Sequence, residues 1–230
     1  SDSLTFIAEV VLQACLRRAY EALIVKHGYP LAVNGERLNA DNCGVAIIGY
    51  GKLGGIELGY NSDLDLVFLH RLAQNGYSDG EVPISGLKFA TRLVQKLMNY
   101  LTAQTRDGRV YELDTRLRPS GNAGVMVVSL AAFLHYQNDQ AWVWEHQALV
   151  RARGICGDSE ALSSFEQIRA QVLTSAQDER QLQTQICDMR EKMRAHLANN
   201  DSNQFHLKQD VGGLVDIEFI AQYAVCLLYT

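Results

Sequence analysis

Residues 45–70 read VAIIGYGKLGGIELGYNSDLDLVFLH. The stretch opens on an apolar, β-branched run, crosses a glycine-rich turn, and ends on a second apolar run headed by two aspartates. Residues 43–50 and 64–70 have the length and composition of strands. Between them, Gly49-Tyr50-Gly51-Lys52-Leu53-Gly54 spells G-x-G-x-x-G, the dinucleotide fingerprint. The residues after Gly54 defeat that reading. A pyrophosphate site needs a helix after the turn, and Gly55-Ile56-Glu57-Leu58-Gly59-Tyr60-Asn61-Ser62 carries another glycine and no helical stripe. A parallel crossover takes about a dozen residues or more, whereas nine (residues 55–63) separate Gly54 from Leu64. No acid stands about 20 residues on to read a ribose, and Lys52 is followed by Leu53, which rules out a P-loop. A hairpin-like connection is expected. On its own the turn allows two readings, a tight link between strands or a place where backbone N–H groups approach phosphates.

The aspartates narrow the choice. Side chains alternate across a strand, so Asp63 and Asp65 share one face while Leu64, Leu66 and Phe68 enter a core on the other. Adjacent carboxylates repel, and divalent cations relieve that repulsion. A bare D-x-D is ordinary at a strand end. The combination h-G-G-x₇-D-h-D-h, with h apolar and Gly54-Gly55 as the glycine pair, is far less so. A third carboxylate is available in RVYELDTRLRP, residues 109–119. Read as a strand over 109–118, it puts Glu112, Asp114, Arg116 and Arg118 on one face and Tyr111, Leu113, Thr115 and Leu117 on the other. Acids for metal ions followed by arginines for phosphate oxygens suit a metal–triphosphate site. A salt-bridged exposed strand face is the plainer alternative.

Outward from this centre, apolar spacing predicts a helix over 4–27, and another from Ser85, as cap, to about 104. A turn at Pro119-Ser120-Gly121-Asn122 precedes a short strand at 125–128. After Ser129 the pattern reads as helical throughout: 129–138, 140–153, 158–173, 175–199 and 211–230, with a weak capping box at Ser175–Asp178. The expected organisation is an α/β core over 1–128 with an N-terminal helix, then a helical region over 129–230. The fold class is α+β. The chain starts at Ser1 and stops inside an apolar, helix-patterned stretch at Leu227-Leu228-Tyr229-Thr230, which reads as a fragment truncated at its C-terminus.

Composition bounds the partners. Among 230 residues, 47% are hydrophobic and 20% charged, with a net charge of −5. An acidic total argues against nucleic acid as main partner. Five cysteines (Cys15, Cys43, Cys156, Cys187, Cys226) without a C-x-x-C fit neither a disulfide framework nor a zinc site. No run approaches the roughly 18 apolar residues of a membrane span, and no signal peptide opens the chain. A cytoplasmic setting is expected.

The glycine pair, the D-h-D and a third carboxylate on a neighbouring strand resemble the nucleotidyltransferase superfamily typified by DNA polymerase β, with its short mixed sheet. Four blocks, GYGKLGGIELGYNSDLDLVFLH, DTRLRPSGNAG, WEHQALVRAR and KQDVGGLVDIEFIAQY, span roughly residues 45–223. Together they resemble one family, the bifunctional glutamine synthetase adenylyltransferase/adenylyl-removing enzymes of bacterial nitrogen control. The G-K-L-G-G-x-E-L-G-Y-x-S-D-L-D-L form is similar to the C-terminal, adenylylating half. The resemblance implies transfer of AMP from ATP to a tyrosine of glutamine synthetase. The other half removes AMP by phosphorolysis. It also implies Mg²⁺ or Mn²⁺ as metal, and the PII signalling protein and glutamine as partners. Carried onto this sequence, Asp63, Asp65 and Asp114 become catalytic metal ligands, with Asp114 a candidate acceptor of the tyrosine proton. Gly54, Gly55, Ser62, Arg116 and Arg118 become nucleotide contacts. Two other readings compete: a nucleotidyltransferase acting on RNA or a small molecule, and a non-catalytic nucleotide sensor. Glu145, Arg151 and Arg153, and Lys208, Asp216 and Glu218 around Gly212-Gly213, stand without an assigned role. Glu218 falls on the apolar Leu214, Ile217, Ala221, Val225 stripe, an odd place for an unpaired acid.

Overall fold

Strand β1 (Val45–Gly49) is buried at every residue, and that burial explains its unbroken apolar run. Its neighbour β2 (Leu64–His70) is buried almost throughout. Strands covered on both faces lose the polar alternation of half-exposed ones. A computed structural model describes residues 2–106, 108–175, 179–197 and 205–229. Strands β1 and β2 pair antiparallel with Val45 opposite His70 and Gly49 opposite Leu66, so the short connection is hairpin-like, as the spacing requires.

The elements run in the order α1 (Asp2–His27), β1, a one-turn helix α2 (Gly51–Gly54), β2 and α3 (Gly86–Thr102). A two-residue hairpin comes next, β3 (Gln104–Thr105) with β4 (Gly108–Arg109), then β5 (Leu113–Asp114) and β6 (Val127–Ser129). The remainder is α4 (Leu130–Asp139), α5 (Val143–Val150), β7 (Arg153–Gly157), α6 (Ser159–Leu173), α7 (Glu179–Leu197) and α8 (Leu214–Tyr229). The sheet is mixed. Strand β7 pairs antiparallel with β1, while β5 and β6 both lie parallel along β2. A small mixed sheet with helices is the α+β architecture expected.

Alternation along the central strands splits the core in two. Val45, Ile47, Leu64, Leu66 and Phe68 pack with residues of α1 and α3, among them Leu12, Tyr20, Phe89 and Leu93. Ala46, Ile48, Val67 and Leu69 pack on the opposite face with Phe133 of α4 and Phe165 and Ile168 of α6. Each fully buried Leu, Ile or Phe contributes about 1.5–3 kcal/mol. The sheet is therefore a middle layer, and its strand ends are the places left for polar chemistry.

Four expectations change. The helix expected over 140–153 ends at Val150, and residues 153–157 form β7, so the sheet draws on the chain well past residue 128. The strand expected over 109–118 shrinks to β5. Ser85 takes the N-cap position of α3 but makes no side-chain cap bond. On α8 the buried residues are Val215 and Cys226, with Phe219 and Tyr223 packed beside them, so the expected Leu214, Ile217 stripe faces outward. Asp178 of the expected capping box, and the end of the helix expected over 175–199, lie outside the described residues. All five cysteines are free thiols. No helix of the described residues is long and apolar enough to cross a membrane.

Candidate functional site

Strand β2 begins where the chain leaves the turn, and Asp63 and Asp65 flank its first residue, Leu64. Parallel pairing places Asp114 of β5 directly opposite Asp65. One carboxylate oxygen from each of Asp63, Asp65 and Asp114 lies within 4.8 Å of the other two. Burial, and then the charges of Asp63 and Asp114, push the Asp65 carboxyl up to about 6. Asp114 goes the other way: the Arg116 guanidinium bonded to it holds its carboxyl below the usual range. Three carboxylates against one guanidinium leave about two negative charges uncompensated. An all-oxygen, net-negative donor set of this kind suits a hard divalent cation such as Mg²⁺ or Mn²⁺.

The alternation read for residues 109–118 holds only as far as Asp114. Tyr111 and Leu113 pack toward the core beneath β2, as expected. Asp114 Oδ1 then accepts from the Arg116 backbone N–H at 2.8 Å, and this local turn ends the strand. The two arginines consequently part company. Arg116 stays at the surface, its side chain 72% exposed, with Nε donating to Asp114 Oδ2 at 2.8 Å. Arg118 is only 7% exposed. Its guanidinium donates to the Thr115 carbonyl at 2.6 Å and hydroxyl at 3.0 Å, and to the carbonyls of Asn122 and Gly124. Arg118 thus holds its own loop together, with its guanidinium turned onto oxygens of residues 115–124. Glu112 pairs with Arg109 and takes no part in the cluster.

The glycine turn is also redistributed. The N–H groups of Gly54 and Gly55 donate to the Tyr50 and Gly51 carbonyls. Both N–H groups are thus bonded inside the turn, at 3.0 Å each. Gly54 is instead a packing glycine, since a Cβ there would stand 2.0 Å from the Arg151 carbonyl. The glycine that serves the carboxylates is Gly51. Its φ is +52°, and a Cβ on it would meet Asp65 Oδ2 at 2.4 Å. Its place in G-x-G is the signal that could have found it. As expected, no helix follows Gly54; the helical turn after β1 is α2, a single turn inside the fingerprint, with Ile56 beyond it at φ +60°. Ser62 sits beside this turn, its hydroxyl accepting from Gly59 N–H at 3.1 Å and lying 3.4 Å from Lys52 Nζ. A cleft of about 490 Å³ opens alongside, lined by Tyr60, Asn61, Ser62, Asp63, Tyr111 and Glu112.

Of the residues without an assigned role, Glu145 is hydrogen-bonded, and Arg151, Arg153, Asp216 and Glu218 are ion-paired. Glu145 accepts from Tyr136 Oη at 2.9 Å and from the Trp142 N–H at 2.9 Å. Arg151 pairs with Glu57 and Glu218, and Arg153 with Glu9. Asp216 pairs with Arg190 and Arg194.

Residues 1–168 match a protein-family profile described as glutamate-ammonia ligase adenylyltransferase. The chain is also 54% identical, over 229 residues, to a protein of Acinetobacter baylyi named bifunctional glutamine synthetase adenylyltransferase/adenylyl-removing enzyme. That match covers 98% of this chain and 25% of the relative, so the chain spans about a quarter of its length.

Proposed function

This chain belongs to the glutamate-ammonia ligase adenylyltransferase family, and from that premise we propose that it transfers AMP from ATP to a tyrosine of glutamine synthetase. The single observation that carries the reading is the convergence of Asp63, Asp65 and Asp114 beside the glycine turn. We assign the chain to the adenylylating half because its turn reads G-K-L-G-G-I-E-L-G-Y-N-S-D-L-D-L. Glutamine and the PII signalling protein are the proposed regulators, and the cytoplasm the proposed setting.

Asp63, Asp65 and Asp114 would hold two divalent ions, which when bound supply charge neutralisation at the attacking and leaving oxygens of an in-line displacement at the α-phosphorus. The chain's own residues do the rest. Burial of Asp65 on β2 and pairing of β2 with β5 keep the three carboxylates in place before substrate arrives. Carboxylate oxygens of the cluster, Asp114 among them, are the nearest acceptors for a tyrosyl proton at this site. Arg116, exposed at the surface beside Asp114, would donate to a phosphate oxygen of the nucleotide. Ser62 and Lys52 line the turn from which a triphosphate would be held.

The test is direct. Incubated with Mg²⁺ and glutamine synthetase, ATP labelled at the α-phosphate should leave label on glutamine synthetase, and ATP labelled at the γ-phosphate should not. Label from the γ-position, or none from the α-position, would contradict the reading.

A further inference from the structure

The WEHQALVRAR segment has no part in the chemistry proposed above, yet its first arginine touches the glycine turn with both backbone and side chain. A Cβ on Gly54 would meet the Arg151 carbonyl at 2.0 Å, and one on Gly55 would meet Arg151 Nη2 at 2.9 Å. The Arg151 side chain is 19% exposed, and its guanidinium forks between two carboxylates from distant parts of the chain. Nη2 donates to Glu57, just beyond the turn, at 2.5 Å, and Nη1 donates to Glu218 of α8 at 2.9 Å. Helix α8 in turn holds the segment before it, because Leu214 N–H donates to the Leu207 carbonyl and Val215 N–H to the Lys208 carbonyl, at 3.0 and 3.1 Å. A continuous set of contacts thus runs from the turn through Arg151, Glu218 and α8 to Lys208. Arg153 takes a separate route, joining the Leu53 and Gly54 carbonyls to Glu9 of α1.

We propose that Arg151 is a positioning residue, which sets α8 and the Leu207–Lys208 backbone it holds against the glycine turn that adjoins the three carboxylates. The fork is essential to this role: one planar guanidinium can serve two carboxylates at once, whereas a lysine offers a single point charge. For its rate readout the inference rests on the adenylyl-transfer reading; its exchange readout does not.

The experiment uses the protein that carries this chain and four variants, Arg151→Gln, Arg151→Lys, Glu218→Gln and Arg153→Gln. Three quantities are measured: amide exchange over residues 206–213, affinity for ATP with Mg²⁺, and the rate of AMP transfer. Arg151→Gln and Glu218→Gln should both speed exchange over 206–213 by roughly tenfold, because the restraint on that segment is lost. Both should slow transfer by roughly ten- to a hundredfold through misplacement, while ATP affinity stays within about threefold. Arg151→Lys should restore less than half of the lost protection, and Arg153→Gln should leave 206–213 unchanged. If Arg151→Gln does not fold, Glu218→Gln, at a half-exposed position, carries the same test. Unchanged exchange over 206–213 in Glu218→Gln overturns the inference whatever the rates. So does a tenfold loss of ATP affinity with unchanged exchange, which would make Arg151 a direct ligand. A parent protein that transfers no AMP would contradict the proposed function instead, and the exchange arm would still decide the role of Arg151.

Discussion

Asp65 gives up solvation on a strand of apolar residues and does so beside two further carboxylates, an arrangement that costs stability unless a cation is present. Asp65→Asn should therefore raise the melting temperature of the metal-free protein, by roughly 2–4 °C for each kcal/mol of repulsion relieved, while removing Mn²⁺ binding. Calorimetry of the metal-free variant checks the first expectation and a Mn²⁺ titration the second; a lower melting temperature would mean that the cluster is not crowded. The arginines separate in the same way. Arg116→Leu should weaken ATP binding or slow turnover ten- to a hundredfold, as the loss of one charge-assisted contact of about 1.5–3 kcal/mol implies. Arg118→Leu should instead lower the melting temperature and leave the nucleotide affinity of the folded fraction unchanged. The three acids are legible in the sequence because alternation and a common sheet edge require nothing more than strand geometry. The fate of Arg118 is not, because it depends on the Asp114 carboxylate bonding the Arg116 N–H and ending the strand, a local competition that alternation ignores.

Among the elements, the glycine turn is defined less by its G-x-G-x-x-G spelling than by which glycine meets what. Gly51→Ala places a methyl against Asp65 and forces an alanine to φ +52°; a cost on the order of 1–3 kcal/mol is expected, with metal affinity falling as Asp65 is displaced. The corresponding substitution at exposed Gly35, where a Cβ meets nothing within 4 Å but φ is +84°, reports the backbone strain alone. Metal affinity equal in the two variants would remove Gly51 from the site. Strand β7 is invisible in the sequence for a definite reason. Ala152-Arg153-Gly154-Ile155-Cys156 follows α5 without a proline or a turn cluster between them, and so short a run has no period that tells strand from helix. The α7–α8 pair makes a pH-dependent prediction. The Gly212 N–H, then Arg190 and Arg194, hold the Asp216 carboxyl down at about 2, against 3.8 ordinarily. Between those values the unfolded chain binds a proton that the folded one does not, so this contribution is present above about pH 3.8 and lost as pH falls through about 2. Amide exchange of α8 should accelerate across that window, and Asp216→Asn should flatten the dependence.

Across the whole molecule, the two ends of the sheet have opposite tasks. At the end away from the carboxylates, Asp158 is fully buried, caps α6 through the Ala161 N–H at 2.9 Å, accepts from Gly44 N–H at 2.9 Å, and pairs with buried Arg71 at 2.7 Å. Removing one partner of a buried pair leaves the other uncompensated, so Asp158→Ala should cost about 3–5 kcal/mol, read as a lower denaturant midpoint, with metal affinity of the folded protein retained. The cluster end gives up stability at Asp63, Asp65 and Asp114, a cost that serves adenylyl transfer in the function proposed above. The most direct measurement is the single-turnover rate of AMP transfer from ATP to glutamine synthetase for the parent protein and for Asp65→Asn, at saturating Mg²⁺ and with both proteins shown to be folded. The parent should transfer AMP and the variant should be slower by roughly a thousandfold or more, since losing a metal ligand removes several kcal/mol of transition-state stabilisation. A folded Asp65→Asn protein that transfers AMP within tenfold of the parent rate would contradict the proposed function.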